Sequence, residues 1–244
     1  MTLVKICGIQ EKDHALVAAE SGASLIGFVF VPVRREIDPD DARQIIDSVR
    51  EKYMHPPAAV GLFVNEPANT INEVVEQVGL DFVQLHGDED PELASQLSVP
   101  AIKALRIEED QSEAQVRKRV EAYLRYCSAV LLDSHVPGHW GGTGVKGDWD
   151  LAATIARDYP VILAGGLTPE NVGEAIETVR PAVVDVSSGV ETDEQKDPAK
   201  IVAFLENANE QARQIRPSKP SKALKAYIES VRLQHTLKHQ PGID

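Results

Sequence analysis

The chain has 244 residues with 25 Lys+Arg against 38 Asp+Glu, a formal net charge of −13, which argues against a sequence-independent binder of phosphate backbones, so nucleic acid is not an expected partner. At 43% hydrophobic and 26% charged the composition excludes global disorder and supplies a sizeable core. The longest apolar stretch, around Leu25 to Val33, falls well short of the roughly 18 residues of a membrane span, and the N-terminus shows no basic n-region or signal h-region, so no membrane partner and a cytoplasmic location are expected.

Short apolar, β-branched runs alternate with helical patterns along the chain. The expected strands are 3–6, 25–30, 59–64, 81–85, 100–105, 128–132, 160–163 and 183–186. Helices are expected over 11–21, 39–51, 67–78, 90–97, 110–125, 148–157, 169–178 and 197–213, with Asp38-Pro39 and Thr168-Pro169 as start signals. Near-continuously apolar strands alternating with helices indicate a parallel sheet covered on both faces. Eight units of about 25–30 residues fit an α/β fold of the (β/α)8 TIM-barrel kind over residues 1–210 better than an open doubly wound sheet, although the latter gives much the same period.

Beyond it, residues 211–244 invert the charge, with seven Lys+Arg and two acids for a net of +5. After Pro217-Ser218-Lys219-Pro220 a helix is expected around 222–238, with Leu224, Ile228 and Val231 on one face. Docking on its own barrel or a neighbouring subunit, away from the catalytic mouth, and a frayed tail are both open readings.

In a (β/α)8 barrel the chemistry sits at the C-terminal strand ends and the loops after them. Strand 1 ends in Cys7-Gly8, strand 2 leads to Arg34-Arg35, strand 4 to His86-Gly87, strand 6 to Asp133-Ser134 and strand 8 to Asp185 and the loop beyond. Cys7 reads either as a small buried hydrophobe or, as a thiolate in electropositive surroundings, as a general base. Asp133 reads as a loop cap or as a catalytic or substrate-binding carboxyl, Asp185 has the same two readings with binding favoured over acid–base chemistry, and His86 reads as a loop brace or a direct ligand. Arg34 and Arg35 suit a carboxylate. Gly165-Gly166 after strand 7 and Ser187-Ser188-Gly189 after strand 8 have phosphate-loop composition. Gly141 to Gly144 after strand 6 reads as a phosphate loop or a flexible cover. Cys127, outside these positions, reads as structural. Two cysteines are too few for a disulfide scaffold and carry no metal-knuckle spacing, so no metal site is expected.

Lys5-Ile6-Cys7-Gly8, Val83-Gln84-Leu85-His86-Gly87-Asp88-Glu89, Leu132-Asp133-Ser134, Leu163 to Val172 and Asp185 to Glu191, in this order, resemble phosphoribosylanthranilate isomerase, the Amadori-rearrangement enzyme of tryptophan biosynthesis. With Lys196-Asp197 the likeness runs from residue 3 to about 208. It implies Cys7 as general base, Asp133 as general acid and Asp185 as a substrate-site acid, and His86 is a further candidate for binding the substrate. Gly165, Gly166, Ser187, Ser188 and Gly189 match phosphate ligands. Arg35 matches the arginine near the anthranilate carboxylate, but the segment Val31 to Pro39 departs from the family's usual Ser-Pro-Arg, so Arg34 is an alternative. The implied substrate is a small phosphorylated sugar joined to anthranilate, with no cofactor, and the implied partners are neighbouring enzymes of the same pathway. Two rivals are the related histidine-pathway isomerase, whose strand-1 base is an aspartate, and a non-catalytic sugar-phosphate-binding barrel, which needs neither Cys7 nor Asp133.

Overall fold

Eight parallel strands pair in chain order, and the last returns to the first to close a barrel. They are β1 Leu3–Cys7, β2 Leu25–Val29, β3 Ala58–Phe63, β4 Phe82–Leu85, β5 Ala101–Arg106, β6 Ala129–Asp133, β7 Val161–Ala164 and β8 Val183–Val186. The helices around them are α1 Lys12–Glu20, α2 Pro39–Lys52, α3 Ala68–Val78, α4 Glu113–Tyr123, α5 Trp149–Ala156, α6 Val172–Val179 and α7 Pro198–Gln214. This computed structural model describes residues 2–107, 111–133, 149–215, 222, 224–230 and 232, and the expected (β/α)8 barrel is the fold found.

Two cores explain why the strands read as continuous apolar runs. Alternate residues point to opposite faces of a strand, so Leu3, Leu25, Val60, Phe82, Ile102, Leu131, Ile162 and Val183 fill the barrel interior. Their neighbours Val4, Ile26, Ala59, Val83, Val130, Leu163 and Val184 pack outward against helix residues such as Ala18, Ile46 and Ile71. With both faces buried, selection favours apolar side chains at every position except where the interior opens into the site.

Three elements differ from expectation. Residues 90–97 form a six-residue 3₁₀ helix, Pro91–Gln96, instead of an α-helix. Leu93 N donates to Asp90 O at 3.0 Å, and too few residues follow before the extended Leu97 for an α-helical nucleus to propagate. The helix expected from 169 begins at Val172, because Asn171 Oδ1 accepts from Thr168 N at 2.8 Å while its Nδ2 donates to Gly166 O at 2.9 Å, folding the intervening residues into a turn. A small antiparallel hairpin, β9 Glu191–Thr192 with β10 Gln195–Lys196, stands where no strand was expected. The last barrel helix also continues through 210 to Gln214.

At the N-terminal ends of the strands the interior is closed by the C-terminal segment. Residues 224–230 are helical, and Leu224 and Ile228 are buried in the same cluster as Leu3, Leu25, Ala58 and Phe82. Tyr227 meets Phe82 edge to face at 5.9 Å. Arg232 donates from Nε to Pro56 O and from Nη2 to His55 O, both at 2.9 Å. Val231, the third residue of the expected face, lies outside the described residues.

Candidate active site

The opposite, C-terminal end of the barrel opens into a cavity of about 740 Å³, within the size range of small-molecule sites. All ten residues singled out in the sequence line it: Cys7, Arg35, His86, Asp133, Gly165, Gly166, Asp185, Ser187, Ser188 and Gly189. Arg34 lines it as well. The register explains the convergence, since Cys7, Asp133 and Asp185 occupy inward positions at the C-terminal ends of β1, β6 and β8, of which β1 and β8 are adjacent and β6 lies one strand away across β7. Ser134 and the loop Gly141 to Gly144 lie outside the described residues.

Cys7 is buried, and Gly27 on the adjacent strand makes room for its thiol. A Cβ at Gly27 would stand 2.9 Å from Cys7 Sγ and 3.2 Å from Lys5 Cε. Gly189 answers a second close approach, because a Cβ there would overlap the Leu167 carbonyl oxygen and push the loops after β7 and β8 apart. By contrast Cys127, remote from the cavity, is pushed up to about 11 by burial, which suits an inert packing thiol.

At the cavity floor Asp185 and His86 are joined through Lys5 and Gln84, two residues not singled out as site residues from the sequence. Lys5, fully buried, donates to Asp185 Oδ1 and to Gln84 Oε1, each at 3.0 Å. Gln84 Nε2 lies 3.0 Å from His86 Nδ1. Burial opposes a charge on Lys5, but Asp185 and Cys7 outweigh it and raise its pKa above the ordinary lysine value. Burial lowers the pKa of His86, against the pull of Asp133, so its ring is favoured neutral. A strand-borne lysine amid apolar residues was the available signal: such a charge stays inside only if paired.

At the lip, the two arginines converge on one carboxylate, again unforeseen. Glu191 Oε1 accepts from Arg35 Nε at 2.7 Å and Oε2 from Arg35 Nη2 at 3.0 Å, while Arg34 Nη2 reaches Oε2 at 2.7 Å. Lys196 Nζ completes the cluster, 2.7 Å from Glu191 Oε1 and 2.9 Å from Ser187 O. The hairpin thereby ties the arginine loop to the serine loop after β8. Arg34 also donates from Nη1 to Glu194 O, whereas Arg35 uses Nε and Nη2 on Glu191 alone. Burial works against charge on Glu191, yet Arg35, Lys196 and Arg34 pull its carboxyl down to about 2.

That depression makes an acid-stability prediction. A carboxylate with a lowered folded-state pKa stabilises the fold above its unfolded value of about 4.3 and loses that contribution as pH falls toward its folded one. Between pH 5 and 2, the unfolding free energy of Glu191→Gln should therefore fall less steeply than that of the parent. Urea titrations at several pH values would show it, and parallel curves would mean the cluster contributes nothing through charge.

The His86 loop is braced separately. Glu89 accepts from Gly87 N and Asn65 N, both at 2.9 Å, and pairs with the buried Lys103 at 2.8 Å. Lys103 also donates to Gly87 O. Among the described residues no group of three or more His, Cys, Asp or Glu is arranged to hold a metal ion, and no helix is long and apolar enough to cross a membrane.

Comparison with known proteins converges on one family. The family model described as N-(5′-phosphoribosyl)anthranilate isomerase matches residues 4–207. The N-(5′-phosphoribosyl)anthranilate isomerase of Roseiflexus sp. (strain RS-1) is 46% identical over 209 residues, covering 84% of this chain and 96% of the relative. That of Moorella thermoacetica is 48% identical, covering 84% of this chain and 89% of its own length. The crystal structure of the Thermotoga maritima phosphoribosyl anthranilate isomerase superposes with a TM-score of 0.75 at 40% identity, over 86% of this chain and all (100%) of that one. A phosphoribosyl anthranilate isomerase structure in complex with reduced 1-(o-carboxyphenylamino)-1-deoxyribulose 5-phosphate gives 0.71 at 39% identity, with the same coverage. With its closed barrel and with Cys7, Asp133 and Asp185 around one cavity, the chain belongs to the N-(5′-phosphoribosyl)anthranilate isomerase family.

Proposed function

We propose that the chain isomerises N-(5′-phosphoribosyl)anthranilate to 1-(2-carboxyphenylamino)-1-deoxyribulose 5-phosphate in tryptophan biosynthesis, in the cytoplasm. The observation that carries this reading is the family match across residues 4–207 together with a thiol and a carboxyl, Cys7 and Asp133, facing the same cavity. In this mechanism protonated Asp133 gives its proton to the ribose ring oxygen, and the ring opens to an iminium. The Cys7 thiolate then removes the C2′ proton, and the enolamine tautomerises to the ketone. Acid and base each contribute about 10² to 10⁴ in rate, and no oxidant, reductant or electron-sink cofactor enters the proton balance.

The rest of the cavity serves orientation. Gly165, Gly166, Ser187, Ser188 and Gly189 take the phosphate, Asp185 and His86 the sugar, and Arg35 the aromatic carboxylate. The choice of Arg35 over Arg34 follows from the hydrogen bonds: Arg34 is divided between Glu191 and the Glu194 carbonyl, whereas Arg35 keeps Nη1 without a partner among the described residues. An assay with freshly generated phosphoribosylanthranilate tests the whole reading: turnover to the ketose supports it, and its absence in the folded protein overturns it. The histidine-pathway substrate should be turned over far more slowly or not at all.

The Arg35 assignment has its own test. Arg35→Ala should weaken a carboxylated product analogue by about 10- to 100-fold, the range of a lost charge-assisted hydrogen bond, while an analogue lacking the carboxylate binds as before. Equal losses for both ligands, measured by calorimetry, would transfer the role to Arg34.

A further inference from the structure

We infer that Lys5 and Gln84 are positioning residues that set the tautomer of His86, so that its Nε2–H faces the cavity as a hydrogen-bond donor to an oxygen of the bound sugar phosphate. The argument needs only the donor and acceptor capacities of four side chains. A lysine ammonium donates and never accepts. Lys5 sits between Asp185 Oδ1 and Gln84 Oε1, 3.0 Å from each, so the end of the Gln84 amide facing it is the carbonyl oxygen. The other end, 3.0 Å from His86 Nδ1, is then the amide NH₂, which can only donate. His86 Nδ1 must accept, and a neutral ring then carries its proton on Nε2.

Protonating the ring fully would set N–H against N–H across that 3.0 Å contact. The charged groups acting on His86 are Asp133 and Asp185, which favour its charge, and Lys5 and Lys103, which oppose it alongside burial. The main chain at His86 is held by His86 N donating to Phe63 O at 2.9 Å, and its ring meets the Gln84 amide at 3.0 Å. Phosphate, ring and carboxylate oxygens all accept, so a donor at Nε2 fits the ligand and a lone pair there does not. Asp185 anchors the far end of the relay, holding the ammonium that orients the amide. The donor role rests on the proposed sugar-phosphate substrate, while the tautomer does not.

The test is nitrogen NMR on histidine-labelled, ligand-free protein at pH 7.5, with His86→Gln assigning the signal among the seven histidines. The parent should show a neutral His86 with a pyrrole-type Nε2 and a pyridine-type Nδ1. Gln84→Glu keeps the shape but turns the amide end into an acceptor, so the proton should move to Nδ1 or the ring should become charged. Its kcat/KM should fall about tenfold or more, as for a lost hydrogen bond in a desolvated site. Gln84→Leu, which removes the relay, should give a mixture of tautomers. A charged or Nδ1–H ring in the parent overturns the inference by itself, whether or not either variant folds. An unchanged tautomer in a folded Gln84→Glu overturns it too, and an inverted tautomer with undiminished kcat/KM overturns the donor role. Lack of isomerase turnover in the parent would instead count against the proposed function, because the spectra require no substrate.

Discussion

Cys7→Ser and Asp133→Asn should each lower kcat by about 10² to 10⁴, the usual contribution of one general acid or base, with KM changed severalfold at most. The reason is the division of labour across the cavity. In the proposed mechanism the phosphate and carboxylate contacts come from the loops after β7 and β8 and from the arginine loop, and they act equally on ground state and transition state. The proton transfers that this mechanism assigns to Cys7 and Asp133 act only as the barrier is crossed, so their loss should appear in kcat and kcat/KM alike. Serine keeps the volume of Cys7 closely enough to respect the gap left by Gly27, but its hydroxyl ionises far too weakly to replace a thiolate. Asparagine keeps the shape of Asp133 but has no acidic proton to give. Steady-state kinetics with product-analogue titration separate the outcomes, and an effect confined to KM would remove that residue from the acid–base pair. The double variant is informative as well: if the two groups act in successive steps of one reaction, its loss should fall short of the product of the single losses.

What the sequence makes legible follows from what is local. Strand ends were placed within one residue of those found, because each strand is a short apolar run between polar loops and both faces are buried. The ten cavity residues were equally legible, since strand ends and the loops that follow are local features and the barrel brings them together by closure alone. The supports behind them were not. Lys5 joins Gln84 and Asp185 across separations of 79 and 180 residues, and no local pattern reveals such a pairing. Glu191 lay within the family-like segment, yet its place at the lip depends on a hairpin turned by Asp193 and Glu194, both with positive φ. A turn of that kind normally announces itself by glycine or asparagine, and here the usual signal is missing. The Arg34–Arg35–Glu191–Lys196 cluster thus emerges only from tertiary structure. It holds the guanidinium of Arg35 in place, and under the proposed role of Arg35 this spares side-chain entropy that binding would otherwise lose.

Truncation after Gln214 should lower the melting temperature by about 5 to 10 °C while leaving kcat and KM near their parent values. The removed segment contributes Leu224 and Ile228 to the interior cluster, and full burial of such side chains is worth about 1.5–3 kcal/mol each. The Tyr227–Phe82 contact adds about 0.5–1.5 kcal/mol, and the Arg232 bonds to Pro56 O and His55 O add a further increment. Ordering of the segment opposes these gains, and a shift of the size expected corresponds to a net of about 2–3 kcal/mol. For a chain of this size each kcal/mol moves the midpoint by about 2–4 °C. Leu224→Ala and Ile228→Ala should each approach the truncation but not exceed it, since undocking of the helix limits what a single residue can lose. Salt should matter little even though residues 211–244 carry +5 against the acidic remainder, because among the described residues the segment meets the barrel through apolar side chains and backbone carbonyls, and the Arg232–Glu229 ion pair lies within the segment itself. Activity should survive because the helix meets the N-terminal ends of the strands while the cavity is built on their C-terminal ends. Melting curves and kinetics on the truncated chain decide: an unchanged midpoint would mean that the helix does not dock in solution, and a large fall in kcat would mean that the two ends of the barrel are coupled.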